Sequence, residues 1–229
     1  MIELFTFAED IWQRLLSMLV YDSANPLTLT TGFFLFAFLI FCLGYVAVRH
    51  RGRLRTWYVV LFSLYFYYKL SGVYLLLLLF VAVSDFSIGR WVARRKAKQK
   101  STGGAVALSV VINLAILIYF KATDFFVDVV NNLYGSGTLD FESVVVPAGV
   151  SFFVFQSMSY TIDVYRGEIK PLERWIDYIF YLSFFPQLVA GPIERSKNLL
   201  EQLATPQPLK FKNLQEGILL MIWGYFLKM

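Results

Sequence analysis

The sequence predicts an all-α integral membrane protein, a polytopic helical bundle with short broken or re-entrant segments. Three observations carry this. Of 229 residues, 58% are hydrophobic and 16% charged, whereas a soluble domain holds about 45–50% and about 25%. The apolar residues gather in uncharged runs, and about 20 such residues cross about 30 Å of hydrocarbon. The Lys and Arg residues gather between those runs. The same composition excludes disordered, collagen-like and disulfide-scaffold chains. One cysteine, Cys42, cannot form an internal disulfide or a Cys-rich metal site, and one histidine, His50, leaves little room for histidine-based chemistry.

The elements follow in order. Residues 9–20 place Ile11, Leu15, Met18 and Leu19 at helical spacing, with Asp10, Arg14 and Ser17 elsewhere on the wheel; this predicts an amphipathic helix at the interface. Residues 27–48 are uncharged up to Arg49 and predict a span. Residues 56–84 carry one charge, Lys69, and as one helix would run about 43 Å. Arg49, Arg51, Arg53 and Arg55 precede this segment, and Arg90, Arg94, Arg95, Lys96, Lys98 and Lys100 follow it. Basic loops stay cytoplasmic, so an even number of passes joins them: a hairpin broken near residues 69–72.

Residues 104–120 form the next span. Residues 122–143 hold Asp124, Asp128, Asp140 and Glu142 without Lys or Arg, as an outside loop does, and 144–162 return the chain. The N-terminus is therefore expected outside and the basic loops in the cytoplasm. Residues 178–193 are short, interrupted by Pro186 and Gly191-Pro192, and have basic flanks on both sides. They predict a re-entrant element bordering a cavity, because irregular backbone at membrane depth persists only when buried in protein or lining water. Residues 217–229 begin a span that the sequence leaves unfinished, so the chain reads as one incomplete membrane domain.

Polar residues inside apolar runs are the informative ones. Asp85, Asn113, Ser151, Gln156, Ser157 and Ser159 each need a partner or a cavity. Gln156, Ser159 and Asp163 share one helix face. That face either hydrogen-bonds to a neighbouring helix or lines a substrate path, and the pattern leaves both open. The basic loops report topology, with membrane lipid as their partner; nucleic acid is excluded for want of a soluble basic domain. His50, between Arg49 and Arg51, reads as a solvated loop residue, and Cys42 as a small buried one.

Two blocks carry a family resemblance: 144–167, VVVPAGVSFFVFQSMSYTIDVYRG, and 181–195, YLSFFPQLVAGPIER. Together they resemble the membrane-bound O-acyltransferase family, in the bacterial branch that O-acetylates exported polysaccharide. Gln156 and the wording of residues 189–192 favour that branch over relatives that pass D-alanine to teichoic acid; a peptidoglycan O-acetylating relative fits equally. The resemblance implies an O-acyltransferase of the bacterial inner membrane. It implies acetyl-CoA as the acyl donor, no bound cofactor, and an acyl-accepting partner protein at the outer face. It implies donor-side or tunnel roles for Gln156, Asp163, Arg166, Pro186, Gly191, Pro192, Glu194 and Arg195. The family's essential histidine stands in a Trp-His-Gly segment. None of Trp12, Trp57, Trp91, Trp175 and Trp223 precedes a histidine here, so the chain is expected to be the N-terminal part of such a protein and inactive alone. A transporter or flippase-like pathway and a scaffold subunit of an export complex are the competing readings.

Overall fold

A computed structural model describes residues 20–134, 143–189, 191, 196–204 and 210–228. The expected interfacial helix (9–20, all but its last residue) and Pro192, Glu194 and Arg195 lie outside the described residues. Those described fold as helices without strands: α1 (Gly32–Val48), α2 (Gly52–Ser71), a 3-10 turn (Gly72–Tyr74), α3 (Leu75–Ala97), α4 (Gly103–Tyr134), α5 (Val150–Arg166), α6 (Trp175–Ser183), α7 (Phe185–Leu188), α8 (Ser196–Ala204) and α9 (Phe211–Lys228). The runs 52–97 and 103–134 are long and apolar enough to cross a membrane, and α1 is a shorter apolar helix.

Local chemistry sets the boundaries. The Thr31 hydroxyl accepts from the Phe34 N–H at 3.3 Å and starts α1. Gly72, at φ +57° and ψ −125°, ends α2 and breaks the run 52–97. α5 ends in a Schellman motif: Gly167 has φ +82°, its N–H reaches the Val164 carbonyl at 3.1 Å, and the Glu168 N–H reaches the Asp163 carbonyl at 2.9 Å.

Two boundaries correct the sequence reading. The expected outside loop from residue 122 is helix as far as Tyr134. Asp124 and Asp128 do not stop a helix, and the first breaker after Lys121 is Gly135. At 32 residues, α4 runs about 48 Å, well beyond a hydrocarbon core of about 30 Å. Conversely, residues 144–149 are not helical. Pro147 disfavours helix in the residue before it, Gly149 sits at φ +73°, and α5 starts at Val150.

The basic clusters gather at one end. The Lys96 ammonium donates to the Tyr165 carbonyl at 3.0 Å, and the Trp57 and Trp175 rings meet edge to face at 5.9 Å. At the opposite end the Tyr67 hydroxyl donates to the Ala148 carbonyl at 3.1 Å, and the Asp124 carboxylate accepts from the Val144 N–H at 3.0 Å. There the Leu27 N–H bonds the Lys69 carbonyl at 3.0 Å. Lys69 itself is buried and donates to the Val20 carbonyl, so residues 20–27 strap the break at Gly72.

Gly149 is a load point between segments. A Cβ there would collide with the Leu188 carbonyl oxygen, and its φ is positive. Gly149→Ala is therefore expected to lower stability by about 1–3 kcal/mol. Gly104→Ala, with nothing within 4 Å, should leave it unchanged. Thermal unfolding in detergent compares the two.

Candidate functional site

The site is built around residues 175–191. α6 starts at the basic end, where Trp175 meets Trp57. It stops at Ser183, and Phe184 adopts φ −54° and ψ 105°, outside helix geometry, ahead of Pro186. After four residues of α7 the Leu188 carbonyl lies against Gly149, at the far end of α5. By Ser196 the chain is back beside Asp163, near the basic end of α5, where the Ser196 hydroxyl donates to the Asp163 carboxylate. Gly149 and Asp163 are about 21 Å apart along that helix. The segment thus penetrates the bundle and returns to the end from which it came.

Buried side chains and backbone polar groups clasp this excursion. Phe185 is 3% exposed. Its ring centroid lies 5.3 Å from Phe41, 5.0 Å from Phe62 and 5.8 Å from Phe66, on α1 and α2. Its N–H, freed by the break in the helix, donates to the Ser63 hydroxyl at 3.3 Å, as an orphaned buried donor requires. Gln156 and Tyr181 bond reciprocally. The Gln156 amide donates to the Tyr181 carbonyl at 2.8 Å, and the Tyr181 hydroxyl donates to the Gln156 carbonyl at 3.0 Å. The Gly191 N–H closes the turn on the Gln187 carbonyl at 2.9 Å, and a Cβ there would come within 2.8 Å of that same oxygen.

Beneath this lies a carboxylate. Asp85 of α3 is fully buried. Its Oδ1 accepts from the Ser109 hydroxyl at 2.6 Å and its Oδ2 from the Asn113 amide at 2.7 Å, both from α4. Ser157 of α5 also donates to Oδ2 and meets the Tyr178 hydroxyl of α6 at 2.7 Å. One carboxylate therefore ties four helices together. The Tyr178 ring stacks edge to face on Tyr160 at 4.7 Å, and the Tyr160 hydroxyl accepts from the Leu172 N–H at 2.9 Å.

The residues singled out from the sequence divide accordingly. Gln156 and Asp163 are both buried on one face of α5, and both bond to the broken segment or its return. Pro186 is exposed and borders a cavity of about 500 Å³, with Phe34, Phe38, Phe185 and Tyr225 among its walls. Arg166 is exposed and sits 3.8 Å from Glu168, a surface pair worth little. His50 is exposed in the turn between α1 and α2. Tyr178 and Tyr181 are the residues that sequence reasoning passed over. Tyrosines in an apolar run look like bulk until their hydroxyl partners are known. Among the described residues, no group of three or more His, Cys, Asp or Glu could hold a metal.

Comparison with known proteins is informative on this ground. The "Probable alginate O-acetylase AlgI" of Pseudomonas aeruginosa is 34% identical over 172 residues, covering 74% of this chain and 33% of that one. The protein of the same name from Pseudomonas syringae is 36% identical over 172 residues, with 74% and 33% covered. The "Peptidoglycan O-acetyltransferase" of Helicobacter pylori is 28% identical over 235 aligned positions, with 88% and 44% covered. These relatives support an O-acetyltransferase family of the membrane-bound O-acyltransferase kind. The resemblance to membrane-bound O-acyltransferases is upheld by these relatives. This chain spans about a third of the length of the AlgI relatives. No family model matches it, and no solved structure matches it significantly.

The clasp predicts a graded response. Asp85→Ala strands three buried donors and should lower stability by about 2–4 kcal/mol. Asp85→Asn keeps one acceptor oxygen and should lose about half as much. Unfolding of the reconstituted chain by graded denaturing detergent measures both.

Proposed function

We propose that this chain builds the scaffold and the acyl-donor side of a bacterial inner-membrane O-acetyltransferase. In this reading acetyl-CoA delivers its acetyl group at the basic, cytoplasmic end. The acceptor is a hydroxyl of an exported polysaccharide or cell-wall glycan at the opposite face, handled there by a partner protein. The acceptor oxygen attacks the thioester carbonyl, forming a C–O bond. The C–S bond breaks, and the thiol leaves as a base takes the hydroxyl proton. His50 is exposed in the turn between α1 and α2, between two arginines. The base is therefore assigned to the Trp-His-Gly histidine that the resemblance implies, and the 229 residues alone are proposed to be inactive.

One observation carries the reading: one of the two blocks that carry the resemblance, 181–195, is also the one whose described part breaks within the bundle. A walled channel between the two ends needs backbone of this kind, buried on the protein side and irregular where substrate passes. In this account Gln156 and Asp163 hold the segment from α5. Gly191 shapes its return, Pro186 faces the cavity, and Arg166 stands at the donor side. Pro192, Glu194 and Arg195 are proposed for the same rim.

A chimera tests it. The matching third of the Pseudomonas aeruginosa AlgI protein is replaced by this chain, and O-acetyl groups on secreted alginate are measured. The expected outcome is retained O-acetylation, with Gly191→Val in the chimera lowering it at least about tenfold, as displaced positioning groups do. A chimera that inserts normally but leaves alginate unacetylated contradicts the proposal.

A further inference from the structure

We infer that the cavity between α1, α7 and α9 holds one hydrocarbon chain of a membrane lipid, from the leaflet opposite the basic end. It is the cavity that Pro186 borders, about 500 Å³, with Leu29, Phe34, Phe38, Phe185 and Met221 among its walls. Among the described residues no charged side chain lines it, and its side-chain hydroxyls are those of Thr30 and Tyr225. The Tyr225 hydroxyl already donates to the Leu29 carbonyl, and the Thr30 hydroxyl meets that of Thr28 at 3.1 Å. A buried water needs two to four polar partners, and an apolar cavity of about 150 Å³ stays dry yet takes up benzene. A larger apolar space left empty forfeits contacts along every wall.

The position of the cavity selects hydrocarbon as its occupant. α1 leaves Leu35, Leu39 and Leu43 exposed, and α9 leaves Ile222 and Phe226 exposed. Such faces on membrane helices meet lipid chains, and the cavity lies between these two helices, continuous with that surface. Leu29 and Thr30 precede α1, at the end where the Leu27 N–H bonds the Lys69 carbonyl. The cavity therefore starts near that membrane boundary and runs inward along α1. The hydroxyls of Thr28 and Thr30, both exposed, stand at its mouth, where the ester region of a lipid lies. Its floor is aromatic: the Phe185 ring lies 6.3 Å from Phe34 and 6.0 Å from Phe38. On α9, Gly224 forms part of the wall, and a Cβ there would meet nothing within 4 Å. Glycine lowers the stability of a helix interior, and here it leaves that stretch of wall bare. The inferred occupant is distinct from an acyl donor, because these walls offer no charge to a nucleotide or a phosphate. A chain seated here covers Phe185 and Pro186 and closes the broken segment on its α1 side. None of this rests on the O-acetyltransferase reading.

Native mass spectrometry tests the inference. The full chain is reconstituted in dioleoylphosphatidylcholine nanodiscs and released, and the lipid that each chain retains is counted. Gly224→Leu and Met221→Trp add bulk to the cavity wall, and Gly224→Leu also favours helix. Leu219→Phe adds bulk to the opposite face of α9. The wild-type chain should leave the nanodisc as a monomer with lipid bound. Occupancy should fall about tenfold in each of the two filling variants and stay unchanged in Leu219→Phe. Replacing the lipid by dioleoylphosphatidylglycerol should leave wild-type occupancy unchanged, because the chain and not the headgroup is held. If one filling variant does not fold, the other decides. A wild-type chain without lipid, filling variants that keep it, or occupancy that follows the headgroup overturns the inference. So does release as a lipid-free dimer, which would assign the cavity to a second copy. Each of these outcomes leaves the chimera experiment unaffected.

Discussion

The burial of Asp85 is the constraint on which the rest of the bundle depends. A fully buried carboxylate in an apolar assembly is tolerated only where donors converge on it. Here those donors come from Ser109, Asn113 and Ser157 on two other helices. Hydrophobic packing alone would leave α3, α4 and α5 free to slide and rotate, because lipid chains are as apolar as the helix surfaces. Polar convergence on one oxygen pair removes that freedom. It fixes the depth and rotation of three helices and, through Ser157 and Tyr178, the depth of α6.

Fixing α6 is what permits the irregular segment that follows. A helix that stops at mid-bundle exposes carbonyl and amide groups that must find partners nearby. Ser63 takes the Phe185 N–H, and Gln156 takes the Tyr181 carbonyl. The aromatic ring of Phe185 fills the space between α1 and α2. Where backbone must pass backbone, Gly149 and Gly191 leave out the Cβ that would collide. The break is thus supported from α2 and α5, and its outer corner opens on the Pro186 cavity.

How much of this could be read beforehand varied with the kind of information needed. Uncharged runs and basic clusters are properties of single positions, so the helical class and the gathering of 49–55, 94–100 and 166–174 at one end were legible. The breaks near Gly72 and Pro186 were legible because Gly and Pro act locally. The far end of α4 was not, because acids mark exposure and not the end of a helix. The partners of Asp85 were half legible. Ser109 and Asn113 lie four apart and share a face, yet nothing in the spacing says that the face meets Asp85. The Gln156 face left two readings, and only the reciprocal bonds with Tyr181 give it a partner. Burial of Arg55, one rim arginine among several, is a property of the packed fold that no spacing states.

The central claim is that the chain penetrates at α6 and returns by α8 to the same end, held there by the Asp85 clasp. Thiol labelling in oriented vesicles tests this most directly. In a Cys42→Ser background, single cysteines replace Arg174, Lys197 and Tyr134, all exposed, and a membrane-impermeant maleimide is applied to one face at a time. The account predicts that positions 174 and 197 react from the same face and position 134 from the other. Reaction of 174 and 197 from opposite faces would mean that the segment crosses, and would contradict it.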